Sequence, residues 1–255
     1  MLDVRGLTKK YRNRAVVDHV TFCVPPGQVT GYLGPNGSGK STTVKMLAGL
    51  LPASSGQILW NGSDIRHDLI GFKRILGYVP EEAYVYPHLT GMEQLELIGR
   101  LRKLPEAHVQ RKASELLRLL WLHEHRYTPI SSYSKGMKQR VLIAGALLHD
   151  PELIIFDEPL NGLDIASAML LHELIAELAR NGKTILYISH VLEVTEKVCQ
   201  RVIMLYQGKM VANDEVGRLR YLMHLPSLEQ IFRQLAQQED VTDSARQIVS
   251  VMREG

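Results

Sequence analysis

The chain is poor in cysteine, with only Cys23 and Cys199 among 255 residues. They lie far apart in apolar surroundings and lack metal-ligand spacing. That excludes a disulfide framework and a cysteine metal site, and predicts two reduced, buried thiols. Long apolar runs are also missing. The longest, Val141 to Leu148, falls well short of the roughly 20 residues that a membrane-spanning helix needs. The first residues read as a strand, Leu2-Asp3-Val4, with no apolar signal region. No strong excess of one charge exists either, since 30 basic residues against 27 acidic ones leave a net +3. Spread along the chain, this balance argues only weakly for an acidic partner, and no nucleic acid is expected. The densest basic run, residues 9–14, reads as a solvated strand edge. The chain lacks internal repeats, low-complexity linkers and sustained heptads. The expectation is a soluble, cytoplasmic protein whose membrane work, if any, is done by another chain.

What is present is an ordinary apolar fraction, 45%, over a length that suits one large domain or a core with subdomains. Strands and helices alternate, the pattern of a parallel sheet covered by helices. Residues 29–33 form a short apolar strand, and 41–50 the helix after it. Residues 153–156 are a continuous apolar run, as expected for a strand buried on both faces, and 184–188 read as the next buried strand. Leu170, Leu171, Leu174, Ile175 and Leu178 repeat at helical spacing, and Asn181-Gly182 closes that helix. Residues 84–150 differ, reading as helix after helix, which suggests a lid subdomain inserted into the core. Ser227 to Gln230 is a capping box ahead of Ile231, Phe232 and Leu235 on one helix face. Val241, Ala245, Ile248, Val249 and Met252 repeat that pattern. The reading is a main domain over 1–218 and a C-terminal helical extension over 219–255.

The sequence Gly34-Pro35-Asn36-Gly37-Ser38-Gly39-Lys40-Ser41 lies between a strand and a helix. That context makes it a phosphate-binding loop. Gly37 and Gly39 lack a Cβ and can take positive φ, which lets backbone N–H groups approach phosphate oxygens. The helix beginning near Lys40 directs its positive dipole end at the same place. Lys40 adds a point charge, and the Ser41 hydroxyl is a hard ligand suited to Mg²⁺. Asp157 and Glu158 end a buried strand, at the edge where parallel sheets bind ligands. Asp157 suits Mg²⁺ through its water shell, and Glu158 suits a general base for an attacking water. A serine at a helix start, Ser134, caps that helix and leaves the following amides aimed outward at an anion.

In order, the chain carries the glycine loop, Tyr133-Ser134-Lys135-Gly136-Met137, Asp157-Glu158, Asn161-Gly162-Leu163-Asp164 and Ser189-His190. This series resembles the ATP-binding subunits of ABC transporters, most like the drug, polysaccharide and haem exporter types, over residues 1 to about 215. The resemblance implies an α/β P-loop NTPase fold with a RecA-like core. It also implies an N-terminal antiparallel β subdomain, an inserted α-helical subdomain and a short helical C-terminal extension. ATP and Mg²⁺ would be held by Gly34, Asn36, Gly37, Ser38, Gly39, Lys40, Ser41 and Thr42, with Glu81 and Asp157 beside the metal. Tyr11 would stack on adenine, a weak signal that a strand tyrosine also satisfies. His190 would contact the γ-phosphate. Ser134, Gly136 and Asp164 would face the nucleotide of a second ATPase subunit, identical or a close paralogue. A transmembrane permease would be the other partner, on the cytoplasmic face of the plasma or inner membrane.

Two departures from the family pattern stand out. Tyr133, Lys135 and Met137 replace three of the five residues of the usual Leu-Ser-Gly-Gly-Gln signature, and Glu81 stands where glutamine is usual. Glu81 keeps an oxygen for Mg²⁺ but adds negative charge near a triphosphate. The aromatic loop at 84–89 either docks the permease or packs beneath the lid. The runner-up function is a non-transport ABC ATPase acting on ribosomes or DNA. It is disfavoured by the single cassette and the lack of heptads and zinc sites.

Overall fold

Two sheets flank the glycine loop in the computed structural model, which describes residues 1–235 and Met252. The first is antiparallel. β1 (Leu2–Tyr11) and β2 (Arg14–Val24) form a hairpin whose tip, residues 10–14, is exposed. Arg12 takes positive φ there, as a two-residue hairpin turn requires. β4 (Ser55–Trp60) pairs with β1, and the two-residue β5 (Ser63–Asp64) completes the order β2-β1-β4-β5.

The second sheet contains β3 (Val29–Leu33), β6 (Leu76–Val79), β7 (Leu153–Asp157), β8 (Thr184–Ser189), β9 (Arg201–Tyr206) and β10 (Lys209–Glu215). Its order is β10-β9-β3-β8-β7-β6, parallel except for β10. β3, β7 and β8 are buried at every position, which explains why they read as largely apolar segments without polar alternation. β8 lies between β3 and β7, so the segments leaving all three emerge side by side at one sheet edge.

Helix α1 (Lys40–Leu47) follows the glycine loop. It ends earlier than the predicted Leu50 because Gly49 takes positive φ and donates to the Met46 carbonyl, a left-handed stop. After α2 (Leu69–Ile75), the insertion contributes α3 (Gly91–Leu101), α4 (Glu106–Leu119), a 3₁₀ turn at Ile130–Ser132 and α5 (Lys135–Leu147). As predicted, it contains no strand among the described residues, only an isolated bridge between Thr90 and Pro129. The α3 start carries a full capping box between Thr90 and Glu93, which the sequence reading passed over. Arg102, just past α3, reaches back to the main sheet. Its guanidinium donates to the carbonyls of Lys73 and Leu76, each at 3.1 Å. His149 Nε2 lies 3.1 Å from the same Leu76 carbonyl.

Beyond β7 come α6 (Ile165–Arg180) and α7 (Leu192–Val198), then α8 (Val216–Met223) and α9 (Leu228–Leu235). α8 begins at Val216, so the boundary drawn between 218 and 219 falls inside a helix. Leu219, Leu228, Ile231 and Phe232 join the main hydrophobic core, so α8 and α9 pack as part of the domain. Ser227 Oγ accepts from the Gln230 amide at 3.3 Å, as its capping pattern predicts. The run from Val241 lies outside the described residues except for Met252, which is helical and exposed.

Cys199 is buried, and burial pushes its thiol pKa up; Cys23 is half-buried and also unpaired. Among the described residues no helix is long and apolar enough to cross a membrane.

Candidate active site

The glycine loop turns at Gly34, Gly37 and Gly39, all with positive φ. Two of these positions also lack room for a side chain. A Cβ on Gly34 would come within 2.5 Å of the Leu205 carbonyl, and one on Gly39 within 2.7 Å of the Val16 carbonyl. The loop is therefore held against β2 and β9, and Gly208 ties it further by donating to the Ser38 carbonyl at 3.0 Å. Gly39 caps α1 without a side chain, so the first amides of the helix, including those of Lys40, Ser41 and Thr42, are left to other acceptors.

Ser38 is 2% exposed, and its Oγ has no hydrogen-bond partner. A buried, unpaired hydroxyl is costly unless a ligand completes it, so the loop fits an added oxygen-rich anion. Lys40 is also buried and donates through Nζ to the Gly34 and Pro35 carbonyls at 2.6 and 3.1 Å. Burial lowers its pKa, against the opposing pull of Glu158, Asp157 and Glu81. Asn36 and Gly37 form the exposed tip, and Ser41 is exposed one residue into the helix.

Asp157 ends β7 facing this lysine. Its carboxyl is pushed up to about 6, chiefly by burial and then by Glu81 and Glu158. Tyr78 Oη approaches it at 3.4 Å from β6. Three carboxylates crowding one lysine is a donor set for a hard divalent cation. Among the described residues, however, no three His, Cys, Asp or Glu side chains converge closely enough to hold a metal by themselves. Such an ion would need Ser41 and phosphate oxygens as well.

Glu158 leaves the strand with φ 47°, a left-handed conformation that is uncommon for a non-glycine residue and costs of order 1 kcal/mol. Its amide donates to the Ile188 carbonyl at 3.0 Å. The turn directs its carboxylate at the end of β8, where Oε1 meets His190 Nδ1 at 2.6 Å and Oε2 accepts from Ser189 Oγ at 3.2 Å. Ser189 Oγ also accepts from the Val191 amide at 3.0 Å. Serine 189 had no assigned role in the sequence reading, although it stood next to the histidine that did.

A second group lies apart, joined to the first by no hydrogen bond or ion pair among the described residues. Ser134 caps α5, its Oγ accepting from the Met137 amide at 3.2 Å. Asp164 caps α6, accepting from Ser167 N at 2.8 Å and Ser167 Oγ at 3.1 Å; these bonds hold its pKa down. The two caps are neighbours because Gly136 packs on the intervening turn: a Cβ there would lie 2.6 Å from the Gly162 carbonyl. Lys135 runs along Gly162 and lines a cavity of about 290 Å³ with Glu81, Glu82, Gln139 and Asn161. Tyr133 is buried in the insertion, its hydroxyl donating to the His125 carbonyl at 2.5 Å. Tyr11, at the hairpin tip, is half-exposed, with the Lys9 ammonium 5.4 Å from its ring centroid.

Comparison with known proteins agrees with this arrangement. The ABC transporter family pattern matches residues 17–161, more than half of the chain. The linearmycin resistance ATP-binding protein LnrL of Bacillus subtilis is 38% identical over 212 residues, covering 83% of this chain and 68% of that protein. The Nod factor export ATP-binding protein I of Ralstonia nicotianae is 34% identical over 219 residues, covering 86% and 68%. A solved structure described as an ATP-binding subunit of an ABC transporter superposes with a TM-score of 0.86 at 34% identity, covering 92% of this chain and 99% of that one. Glycine loop, acidic strand end and histidine at one sheet edge, on a fold shared over nearly its whole length, have one meaning: the chain belongs to the ABC transporter family, as an ATP-binding, ATP-hydrolysing subunit.

Proposed function

We propose that two copies, or this chain and a close paralogue, close head to tail on two ATP molecules and move a transmembrane permease. The observation that carries the catalytic part is the Glu158–His190 contact at 2.6 Å, at the same sheet edge as Lys40. ATP phosphates would lie in the glycine loop, where Lys40 can exchange its two carbonyl partners for phosphate oxygens and Ser38 Oγ gains the partner it lacks. Mg²⁺, held by Ser41, Asp157 and Glu81, would neutralise charge developing on the phosphates. Glu158 takes a proton from water as its oxygen attacks the γ-phosphorus; the bond to the β–γ bridging oxygen breaks, giving ADP and phosphate. His190 and Ser189 keep the Glu158 carboxylate turned toward that water. Tyr11 offers a π face to the adenine.

Ser134 and Gly136 support the paired arrangement, because the capped start of α5 leaves amides for an anion and no hydrogen bond or ion pair among the described residues ties it to the chain's own glycine loop. Glu158→Gln should retain ATP binding and abolish hydrolysis, giving a stable dimer by size-exclusion chromatography with light scattering. A variant that stays monomeric at saturating ATP would count heavily against the mechanism.

The names of the resistance and export relatives support the export direction, and an ATP-binding subunit that drives a permease would lie on the cytoplasmic face of the membrane. The loop at 84–89 divides between its two readings. Tyr84 and Tyr86 are 75% and 61% exposed, whereas Val85 packs against the core. Permease docking is therefore assigned to the two tyrosines. Cysteine cross-linking at 84 and 86, but not at 85, to the co-expressed permease is the expected pattern.

A further inference from the structure

Helix α7 starts two residues after His190 and is only seven residues long. Its N-cap, Val191, offers no side-chain hydrogen bond. A helix this short is not stable by its own backbone bonds, so its position is set by what packs against it. On the sheet side, Thr195 is fully buried against Gly31, with Thr195 Oγ1 donating to the Val191 carbonyl at 2.9 Å. On the other side lies the C-terminal extension. α9 sets Leu228, Ile231 and Phe232 into the core that also holds Cys199 and Val202. Phe232 meets Tyr206 edge to face, with ring centroids 6.3 Å apart. Arg220 of α8 forms an ion pair with Glu196 of α7, whose side chain is only 13% exposed.

We infer that α8 and α9 are a positioning element for hydrolysis: through Arg220 and Glu196 they hold α7, and through α7 they hold the Ser189–His190–Val191 turn against Glu158. The chain of contacts is continuous. Glu196 lies one residue beyond Thr195; Thr195 binds the Val191 carbonyl; the Val191 amide binds Ser189 Oγ; and Ser189 Oγ and His190 Nδ1 bind the two oxygens of Glu158. The glycine loop has no part in this chain, so ATP binding and ATP turnover depend on it differently. The inference rests on the proposed role of His190 beside Glu158.

The test uses the purified full chain and steady-state ATPase kinetics, with thermal unfolding measured in parallel. Arg220→Met keeps the aliphatic stem and removes the charge, and should lower kcat about five-fold, within the range for residues coupled to a distant site. KM for ATP should change less than two-fold. Arg220→Lys, which keeps the charge, should retain most of kcat, and Phe232→Leu should reproduce the kcat loss by loosening α9. A folded Arg220→Met variant with wild-type kcat overturns the inference, as does a rise in KM that matches the fall in kcat. If Arg220→Met proves too unstable to assay, the same outcomes read from Phe232→Leu decide the matter. His190→Gln separates the two readings: if it leaves kcat unchanged, the role of His190 fails, whereas its loss of activity beside an unaffected Arg220→Met removes only the present inference.

Discussion

Replacing Asp157 by asparagine should make the nucleotide-free protein more stable while removing its activity. The folded carboxyl has its pKa raised from 3.8 to about 6, by burial first and then by the neighbouring Glu81 and Glu158. A raised carboxyl pKa means that the native state favours the protonated acid, so keeping Asp157 ionised destabilises the fold at neutral pH. At 1.36 kcal/mol per pKa unit, the penalty is about 3 kcal/mol, and allowing for solvent relaxation at the sheet edge about 2 kcal/mol. Asparagine is nearly isosteric and carries no charge. For a chain of this size about 2 kcal/mol corresponds to roughly 4–8 °C in Tm. The penalty is complete above pH 6 and fades as pH falls toward the unfolded-state value of 3.8. The advantage of Asp157→Asn should therefore be full at pH 7.5 and shrink to about a third of that near pH 4.5. Thermal unfolding of both proteins across that range, without nucleotide, is the assay. Equal Tm values at pH 7.5, or a difference that does not diminish in acid, would refute the reasoning.

Two further substitutions probe other contacts. Gly136→Ala puts a Cβ 2.6 Å from the Gly162 carbonyl, a backbone atom that can move only with its turn. Overpacking of this kind costs about 1–3 kcal/mol. The shift should carry Asp164 with it, lowering ATPase activity more than ten-fold, on the order of 1.4 kcal/mol in the barrier. Wild-type kinetics in Gly136→Ala would show that the turn tolerates displacement. Glu81→Gln removes one of the charges that raise the Asp157 pKa. ATP should then bind more tightly and half-maximal ATPase activity should need less Mg²⁺, as read from nucleotide titration and Mg²⁺-dependent rates. If Mg²⁺ dependence and rate both stay at wild-type values, Glu81 has no electrostatic part in nucleotide binding.

The sequence made legible what depends on neighbours along the chain. The glycine loop, the aliphatic strand ending in Asp157 and Glu158, and the caps at Ser134 and Ser227 are local patterns, and local patterns state their own geometry. Contacts made across the fold were not legible. Nothing near Gly136 in sequence announces the Gly162 carbonyl that forbids it a side chain, and nothing beside Tyr133 points to the His125 carbonyl. The departure from the family signature at Tyr133 is thus explained by packing within the insertion. The position drawn between 218 and 219 falls inside α8 for a similar reason. Helical periodicity reveals that α9 has an apolar face, but not that the main core covers it. Glu158 is an intermediate case: its place at a strand end could be read, while its left-handed turn toward His190 comes from how β7 and β8 pair.

Arg102 reaches across from the insertion entirely to main-chain carbonyls, those of Lys73, Arg74 and Leu76. Carbonyls are the same whichever side chains surround them. The residues of α2 can therefore change over generations without loosening the joint, while the arginine that crosses the gap cannot be exchanged so freely, since a lysine offers no planar fork to span two acceptors. At this contact the polar constraint therefore falls on the side chain that grips and not on the side chains of the segment it holds.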